Sequence, residues 1–514
     1  MSVGDVDITK RGDIDQLKPN AVGLYSILFL CVTGSAPLAV FIYNTPFTMP
    51  YGSGNNGPGT FFFATIVLTI FSIAYAEMAK KVRAAGGMYT YVSHGLGQSW
   101  GLMAGYSLMI GYAIFGVALI GGFSSFAQAK WLQYSGTHVN WLWFALIGVA
   151  LVVCLAYFDV EISARVLGVA LISEIVIIGI SSIFFFVHAH NVAIGPVLPW
   201  NGLTSGVAPG VAVFFAFWSW VGFEAAPNYA EEARDPIRVI PIALIFSCVA
   251  VGALYTVMSW ALVSVYGTQT DWSKIANTGS TAVINGKTVP ADYNNFVLGP
   301  VSAAAGEFWR DALSYLIITG SLACAAALTN AGLRYMYSMG REGLLPRYLG
   351  KTHPVHKSPY TAVLTWGAGA VVLFLLFRAT SHTGLDAYFW LSPQGVIWIV
   401  LVQALTALSV FTYFRREHPS EQTWKTTVCA WLGFAGQLFV LALFYHYETF
   451  VAAGSSVYVR ELFTIGSGTW SVPVSWLGII GVAVPVISMG YAYAIRAQNP
   501  EKYALMGRFV NESA

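Results

Sequence analysis

The stretch of sequence that decides the fold reads Phe215-Ala-Phe-Trp-Ser-Trp-Val-Gly-Phe-Glu-Ala-Ala-Pro227. It contains one charge, Glu224, which is one of two formal charges that we expect deep inside a hydrophobic span. A charge at the centre of a membrane span costs roughly 2.5–3.5 kcal/mol unless it is paired, protonated or hydrated, so an intramembrane acid is a candidate functional group. Gly222 and Pro227 weaken the helix on both sides of this acid.

The composition indicates an all-α polytopic membrane protein. The 514 residues are 56% hydrophobic and only 10% charged, and residues 175–223 contain no Asp, Glu, Lys or Arg. Runs long enough to cross about 30 Å of hydrocarbon predict about twelve helices. They lie near 21–50, 60–80, 88–128, 140–157, 165–187, 210–230, 238–266, 311–338, 360–378, 387–414, 426–446 and 473–496.

The placement of Lys and Arg predicts the orientation. With the N-terminus placed inside, 20 of the 26 Lys and Arg residues fall in inner loops or tails and 6 fall in outer ones. This bias predicts a multi-pass plasma-membrane protein with both termini in the cytoplasm. We expect flexible cytoplasmic tails at 1–19 and 498–514 around one transmembrane domain, 20–497. The long connection from Gly267 to Phe308 would form a partly ordered outer cap.

Other classes of protein are disfavoured. The five cysteines lie in or beside apolar runs without paired spacing, which indicates small buried hydrophobic residues rather than disulfide or metal sites. We find no His/Cys cluster, Walker loop or nucleophile elbow, so we expect no catalytic residue, metal or cofactor. There is no basic stripe that would suggest a nucleic-acid partner.

Two of the predicted helices are interrupted in mid-span. The first run contains Thr33-Gly34-Ser35-Ala36-Pro37, and the sixth contains Gly222 to Pro227. Five helices separate the starts of these two runs, so they cross the membrane in opposite directions. This pattern predicts an inverted repeat, about 21–187 against 210–414, with peripheral helices at 426–496 and the substrate at the midplane. The alternative is that both interruptions are ordinary kinks.

Three segments carry a family resemblance. The first is Gly222-Phe223-Glu224 followed by Glu231-Glu232-Ala-Arg-Asp-Pro236-Ile-Arg238-Val-Ile-Pro241. The others are Ala85-Gly86-Gly87-Met-Tyr89-Thr-Tyr91 with Gly95-Leu-Gly97, and Asn330 with Gly340-Arg-Glu-Gly-Leu-Leu-Pro346. Taken together, in their order along the chain, they resemble the amino acid-polyamine-organocation (APC) transporters over roughly residues 20–500. The resemblance implies a LeuT-type fold, ten core helices plus two, that moves small amines or amino acids by alternating access.

The resemblance also implies a substrate site at the two interruptions, with Trp218 as a lid. An aromatic face there would suit an ammonium group, by about 0.5–2 kcal/mol, although membrane aromatics also pack against lipid or other helices. The predicted substrate-binding residues are Gly34, Ser35, Ala36, Leu38, Trp218, Gly222, Phe223 and Glu224.

The first interruption departs from the family in one respect. Where the resembling proteins usually read Gly-Ser-Gly, this chain reads Gly34-Ser35-Ala36-Pro37, and proline has no N–H to offer a carboxylate. Since proline is tolerated at the first position of a helix, Leu38 and Ala39 could still donate at the positive end of the half-helix. We therefore favour an amino acid over an amine without an α-carboxylate. Either carries the ammonium group that an ionised Glu224 would attract.

Glu174 and Glu224 are the candidates for proton coupling. Glu174 lies nine residues after Arg165, about 13 Å into its helix. Related transporters often carry an ionisable group near this place, where a proton or charge replaces a sodium ion. A carboxyl group removed from water favours its protonated form, so Glu174 is a candidate proton carrier; the alternative is a permanently protonated acid that bonds two helices. The predicted function is proton-coupled import, with exchange, or a passive channel or facilitator, as alternatives.

The sequence also predicts the local structure of three further segments. We expect the charged run from Glu231 to Arg238 to be a solvated linker, with gating salt bridges as the alternative. The stretch from Gly86 to Gly97 predicts a short interfacial helix under the bundle. Glu77, three residues before Lys80, predicts an ion pair at the end of the second helix.

Overall fold

The computed structural model describes residues 17–82, 86–158, 160–189, 191–267, 270–444 and 476–507, and most of them are helical. The principal helices are α1 (Leu24–Gly34), α2 (Gly57–Ala79), α3 (Gly87–Leu96), α4 (Gln98–Ser135), α5 (Trp141–Tyr157), α6 (Val160–Val187), α7 (Pro209–Ser219), α8 (Pro236–Tyr266), α9 (Leu298–Ala305), α10 (Glu307–Arg341), α11 (Tyr360–Ala379), α12 (Gly384–Arg416), α13 (Trp424–Phe444), α14 (Trp476–Gln498) and α15 (Pro500–Leu505). Short turns lie at Pro37–Ala39, Val40–Asn44, Thr45–Thr48, Met49–Ser53, Gly54–Asn56, Gly195–Val197, Pro199–Thr204, Phe223–Tyr229, Arg347–Gly350 and Pro419–Glu421. Most of the predicted N-terminal tail, Ala85 of the second motif and residues 508–514 lie outside the described residues.

Ten helical segments of the described chain are long and apolar enough to cross a membrane. One of them, Leu24–Ala79, covers the first two predicted runs, because helical turns continue through residues 37–56. The helix α5 is apolar but shorter than the other candidates. The protein is therefore an all-α polytopic membrane protein, and the count of twelve spans stays a prediction.

The predicted third span, 88–128, is wrong in its bounds. Gly97 has φ +101° and separates the short helix α3 from the long helix α4, which continues to Ser135. Glycine adopts this left-handed region without the steric penalty of a side chain. Most of α3 is buried, and a Cβ on its Gly95 would lie 2.5 Å from backbone atoms of Ser409 in α12. The predicted short helix is therefore present, but it packs inside the bundle rather than on its surface.

The connection between α8 and α10 folds over one end of the bundle. Its hairpin pairs β1 (Thr281–Ile284) antiparallel to β2 (Lys287–Pro290), and α9 follows. Trp272 and Phe296 are buried beneath it. Tyr293 donates from its hydroxyl to the carbonyl of Tyr43 at 3.2 Å. We call this end the outer end and the opposite one the inner end, following the orientation that the Lys and Arg bias predicts.

Two smaller expectations can be compared with the structure. Lys80 pairs with Glu77 at 2.9 Å, which confirms the predicted ion pair. Four of the cysteines are buried, but Cys154 is exposed. The expectation of a buried residue is wrong there, because that face of α5 packs against no other part of the described chain.

The beginning of the C-terminal tail is docked rather than flexible. After α14, the short helix α15 places Lys502 Nζ 2.6 Å from the carbonyl of Gly343, and Tyr503 O–H 2.7 Å from Ser99 Oγ. The N–H of Gly507 donates to Glu342 at 3.1 Å, and the same carboxylate accepts from Tyr89. The expectation of a flexible tail at 498–514 is therefore wrong for residues 499–507.

Glu342 makes the folding stability of the protein depend on pH. It lies just beyond the end of α10, and burial raises the pKa of its carboxyl to about 7, although bonds from Tyr89 and Gly507 oppose the shift. Because the folded pKa exceeds the unfolded one, folding stability falls as the pH rises from about 4.5 to about 7.

We predict that Glu342→Gln, which cannot ionise, gains stability over the wild type as the pH rises. One unit of pKa shift is worth about 1.4 kcal/mol, so the gain at pH 8 should be on the order of 1–3 kcal/mol. Thermal unfolding of the purified protein at pH 5 and pH 8 measures it. The matched control is Glu501→Gln, an exposed carboxylate on α15. The same difference between Glu342→Gln and wild type at both pH values would contradict the prediction.

Candidate functional site

The two interrupted helices meet backbone to backbone. The helix α1 ends at Gly34, Ala36 has a left-handed φ of 45°, and helical turns resume at Pro37; we call this the first break. The helix α7 ends at Ser219, and Gly222 has φ +122° before the 3₁₀ helix Phe223–Tyr229; we call this the second break. A Cβ on Gly222 would lie 2.5 Å from the carbonyl carbon of Gly34. Glycine is required at this contact for both its φ and the lack of space.

Hydrogen bonds from neighbouring helices hold both breaks. The hydroxyl of Tyr255 in α8 lies within hydrogen-bond distance of the carbonyls of Ser35 and, at 2.9 Å, Ser219, and its single proton is shared between them. Cys324 in α10 lies 3.2 Å from the carbonyl oxygen of Gly34. Carbonyls at helix ends lack intrahelical donors, so buried breaks need partners of this kind. The breaks are therefore built structures rather than frayed ends.

A small central cavity lies at this junction. Four of its lining residues were predicted: Gly34, Ser35, Ala36 and Trp218. The others are Ala39, Val40, Asn44, Phe115, Leu119, Val221, Cys324 and Tyr388. Its free volume is about 20 Å³, which is room for about one water-sized sphere. An amino acid could enter only if the surrounding helices moved apart.

Aromatic rings close the cavity towards the outer end. Trp218 stacks on Phe215 with ring centroids 5.0 Å apart, and Phe215 stacks on Phe47 at 4.2 Å. Tyr388 lies 5.4 Å from Trp218 and 4.8 Å from Tyr43. Trp218 therefore belongs both to the cavity lining and to this aromatic cluster, and its role as a lid stays a prediction.

Beyond these rings, a larger cavity of about 400 Å³ opens at the outer end. Lys130, Arg310 and Phe126 are among its lining residues. Phe126 also meets Tyr43 edge to face at 5.3 Å. The ring of Tyr43 therefore stands between the outer cavity and the central one.

Glu174 lies beside the first break, at 2% exposure. Its Oε2 accepts from the N–H of Leu38 at 3.2 Å. On its other side, a Cβ on Gly320 of α10 would lie 2.5 Å from Glu174 Oε1. One carboxyl group thus joins α6, the first break and α10. The expectation that the Leu38 N–H faces the substrate is wrong in this conformation, because Glu174 occupies that donor.

Glu224 lies behind the cavity wall rather than on it. It is fully buried, and its carboxylate accepts from the hydroxyl of Tyr112 in α4 and, at 3.0 Å, from the N–H of Gly222. Phe223 faces the ring of Phe71. Gly222, Phe223 and Glu224 therefore shape and support the second break and do not line the cavity. The sequence offered no signal for Tyr112, one of many aromatic residues in uncharged runs.

Ion pairs close the inner end. Arg334 of α10 pairs with Glu232 at 2.7 Å, with both side chains buried, and its guanidinium lies 4.1 Å from the ring centroid of Tyr229. Arg341 pairs with Glu231 at 2.7 Å. The expectation of a solvated linker is wrong for these two glutamates. Arg334 and Glu232 thus add two buried charges to the two acids that were expected inside the spans.

A backbone bridge reinforces this closure. The N–H of Val22 donates to the carbonyl of Glu232 at 3.0 Å, and the N–H of Arg234 donates to the carbonyl of Val22 at 2.8 Å. The segment before α1 is thus tied to the segment after the second break, and both ends of the central cavity are closed.

Comparison with known proteins identifies the family. The amino acid permease family model matches residues 23–449. The chain therefore belongs to the amino acid permease family, of the APC type that its motifs resemble.

Individual relatives are distant. The branched-chain amino acid permease BcaP of Bacillus subtilis is 27% identical over 351 residues, 63% of this chain and 68% of that protein. BcaP of Lactococcus lactis is 26% identical over 418 residues, 75% of this chain and 82% of its own. The methylthioribose transporter of Bacillus subtilis is 27% identical over 335 residues, 61% and 65% of the two chains. Relatives at this distance differ in their named substrates.

We predict that Arg334→Met destabilises the protein by about 3–5 kcal/mol, because it leaves Glu232 buried without a counter-charge. The double variant Arg334→Met/Glu232→Met should recover most of this loss, since apolar residues can replace a buried pair. Denaturant unfolding of the purified protein measures both. The control is Lys274→Met, which breaks the exposed pair with Asp271 and should cost at most about 1 kcal/mol. A loss from Arg334→Met no larger than the control would contradict a buried ion pair.

Proposed function

We propose that this protein is a secondary active permease that moves a small amino acid across the plasma membrane by alternating access, as a proton-coupled importer. The observation that carries the proposal is the central cavity at the junction of two broken helices, closed by separate groups at its two ends. Alternating access requires such a site, because each closure must open while the other holds. An amino acid exchanger is the alternative mechanism. A passive channel fits less well, since packed rings and buried ion pairs close the central cavity at its two ends.

The proposed architecture is a LeuT-type repeat of five plus five helices with two peripheral ones. In support, the two breaks lie in helices that head the proposed repeats, 21–187 and 210–414, and they contact each other at Gly34 and Gly222. The helices α13 and α14 would be the peripheral pair. The Lys and Arg bias supports cytoplasmic termini. It would also put the buried ion pairs of α10 on the cytoplasmic side.

The lining of the central cavity supports a substrate without a charged side chain. None of its described lining residues is Asp, Glu, Lys, Arg or His. Carbonyl groups at the breaks and the face of Trp218 could meet an ammonium group. The names of the branched-chain permeases are consistent with a neutral amino acid. Because another relative is named for methylthioribose, the substrate class of this protein needs a direct test.

The two buried acids have different proposed roles. Glu174 bonds to the first break, so loss or gain of its proton would alter the hold on the Leu38 N–H. It is the proposed coupling group. Glu224 ties the second break to α4 through Tyr112, and it is proposed to position the break and to respond to protonation as a second coupling group.

Proteoliposomes with an inward proton gradient test the proposed function. We predict accumulation of a neutral amino acid above its external concentration, collapse of that accumulation with a protonophore, and weaker competition by the matching decarboxylated amine. Uptake that only equilibrates would indicate a facilitator, and accumulation that requires internal amino acid would indicate an exchanger. Failure of a broad set of amino acids to be taken up or to compete would contradict an amino acid permease.

The variant Glu174→Gln tests the role of Glu174 in proton coupling without changing how its side chain packs. The variant keeps the size of the side chain and an acceptor for Leu38, but it cannot release a proton. We predict that accumulation driven by the proton gradient falls at least tenfold while substrate binding stays within a few-fold. Glu224→Gln should instead weaken binding itself, because its neutral amide holds the Gly222 N–H less strongly than a carboxylate does. Unchanged gradient-driven accumulation in folded Glu174→Gln protein would remove Glu174 from the mechanism. Glu77→Gln, at the inner surface, is the control.

A further inference from the structure

Asn44 presents an unused hydrogen-bond acceptor at the central cavity. The residue lies one to two turns beyond the first break, at 1% exposure, and lines the cavity. Its Oδ1 is buried and has no hydrogen-bond partner. Among the described residues that line the cavity, it is the one with such a buried, unpartnered side-chain atom. An unsatisfied buried acceptor is costly, so this atom calls for a donor.

Its neighbours define which end of the amide is free. Asn44 donates from Nδ2 to Ser219 Oγ at 3.0 Å, and Ser219 donates its single hydroxyl proton to the carbonyl of Phe215 at 2.6 Å. Ser219 therefore has no proton left to give to Asn44, and it can only accept from the amide. If the amide turned over, Ser219 could donate to Oδ1 only by giving up its bond to the carbonyl of Phe215. The carbonyl oxygen of Asn44 is therefore the end of the amide that is left without a partner beside the cavity.

The backbone at Asn44 is also unusual. Residues Val40–Asn44 form a π-helical turn. Such turns are rare and occur frequently at functional sites, because the wider turn re-aims the side chains that follow. Val40, Leu119 and Phe115 of the same lining are apolar.

We propose that Asn44 is a specificity-determining residue, and that its Oδ1 accepts a hydrogen bond from the side chain of a neutral amino acid that bears a hydroxyl or carboxamide. This inference rests on the proposed function. A substrate whose ammonium and carboxylate lie at the first break would extend its side chain along the helical turns that follow, towards Asn44. A purely aliphatic side chain of the same shape would leave Oδ1 buried without a donor.

Isosteric competitors test the inference in the wild-type protein. Threonine should compete for uptake better than valine, or asparagine better than leucine, by about fivefold to 150-fold. This factor corresponds to the penalty of about 1–3 kcal/mol for an unsatisfied buried acceptor. Equal competition within both pairs would overturn the role of Asn44, including the case in which a resident water satisfies Oδ1. This arm needs no variant and does not depend on whether a variant folds.

The variant Asn44→Leu tests whether Asn44 causes the preference for the hydroxyl or carboxamide competitor. The variant should lose the discrimination within the pair, or reverse it, while the aliphatic member still binds. The matched control is Gln394→Leu, which removes another buried amide without partners, on α12 and away from the cavity lining; it should keep the wild-type preference. A preference that persists in Asn44→Leu would overturn the inference. Failure of every amino acid to bind would refute the proposed function itself, whereas binding without discrimination would refute only the role of Asn44.

Discussion

The close contact between Gly34 and Gly222 is the constraint on which the rest of the site depends. Two backbone segments can approach this closely only where no side chain stands between them. A Cβ on Gly222 would lie 2.5 Å from the Gly34 carbonyl carbon. Both breaks free backbone groups in an apolar interior, where each unpaired group is costly. Tyr255, Cys324 and Glu174 supply partners at the first break, and Glu224 supplies one at the second. The burial of these four polar side chains is therefore explained by the backbone groups that they bind at the breaks.

The two closures of the cavity differ in their physics. The outer one consists of stacked rings around Trp218 and Phe215, whose separation exposes apolar surface. The inner one consists of buried ion pairs, Arg334 with Glu232 and Arg341 with Glu231, whose separation requires that charges be hydrated. Opening the inner end should therefore depend more on the charge state of the core. A proton that binds near the first break would be well placed to influence that step.

Local sequence patterns predicted the parts of this structure that have local causes. Glycine and proline marked the two breaks, and isolated carboxylates in apolar runs marked Glu174 and Glu224. The remainder depends on which residues of distant helices face each other. Tyr112 looks like any aromatic residue of a membrane helix, and Arg334, near one end of its predicted span, gives no local sign that it pairs with Glu232. Leu38 was expected to serve the substrate, but its N–H faces Glu174 because α6 crosses the first break at that point. The proposed role of Asn44 could be inferred only from the folded structure, in which a hydrogen bond to Ser219 orients its side-chain amide.

The most direct test of the central claim is an experimental density map of the protein saturated with an amino acid that it accumulates. The account predicts ligand density at the junction of the two breaks, bounded by Gly34 to Ala36, Phe115, Trp218 and Tyr388, in a central cavity enlarged beyond its present volume of about 20 Å³. Density confined to the outer cavity beside Lys130 and Arg310, with the central cavity still closed, would contradict it.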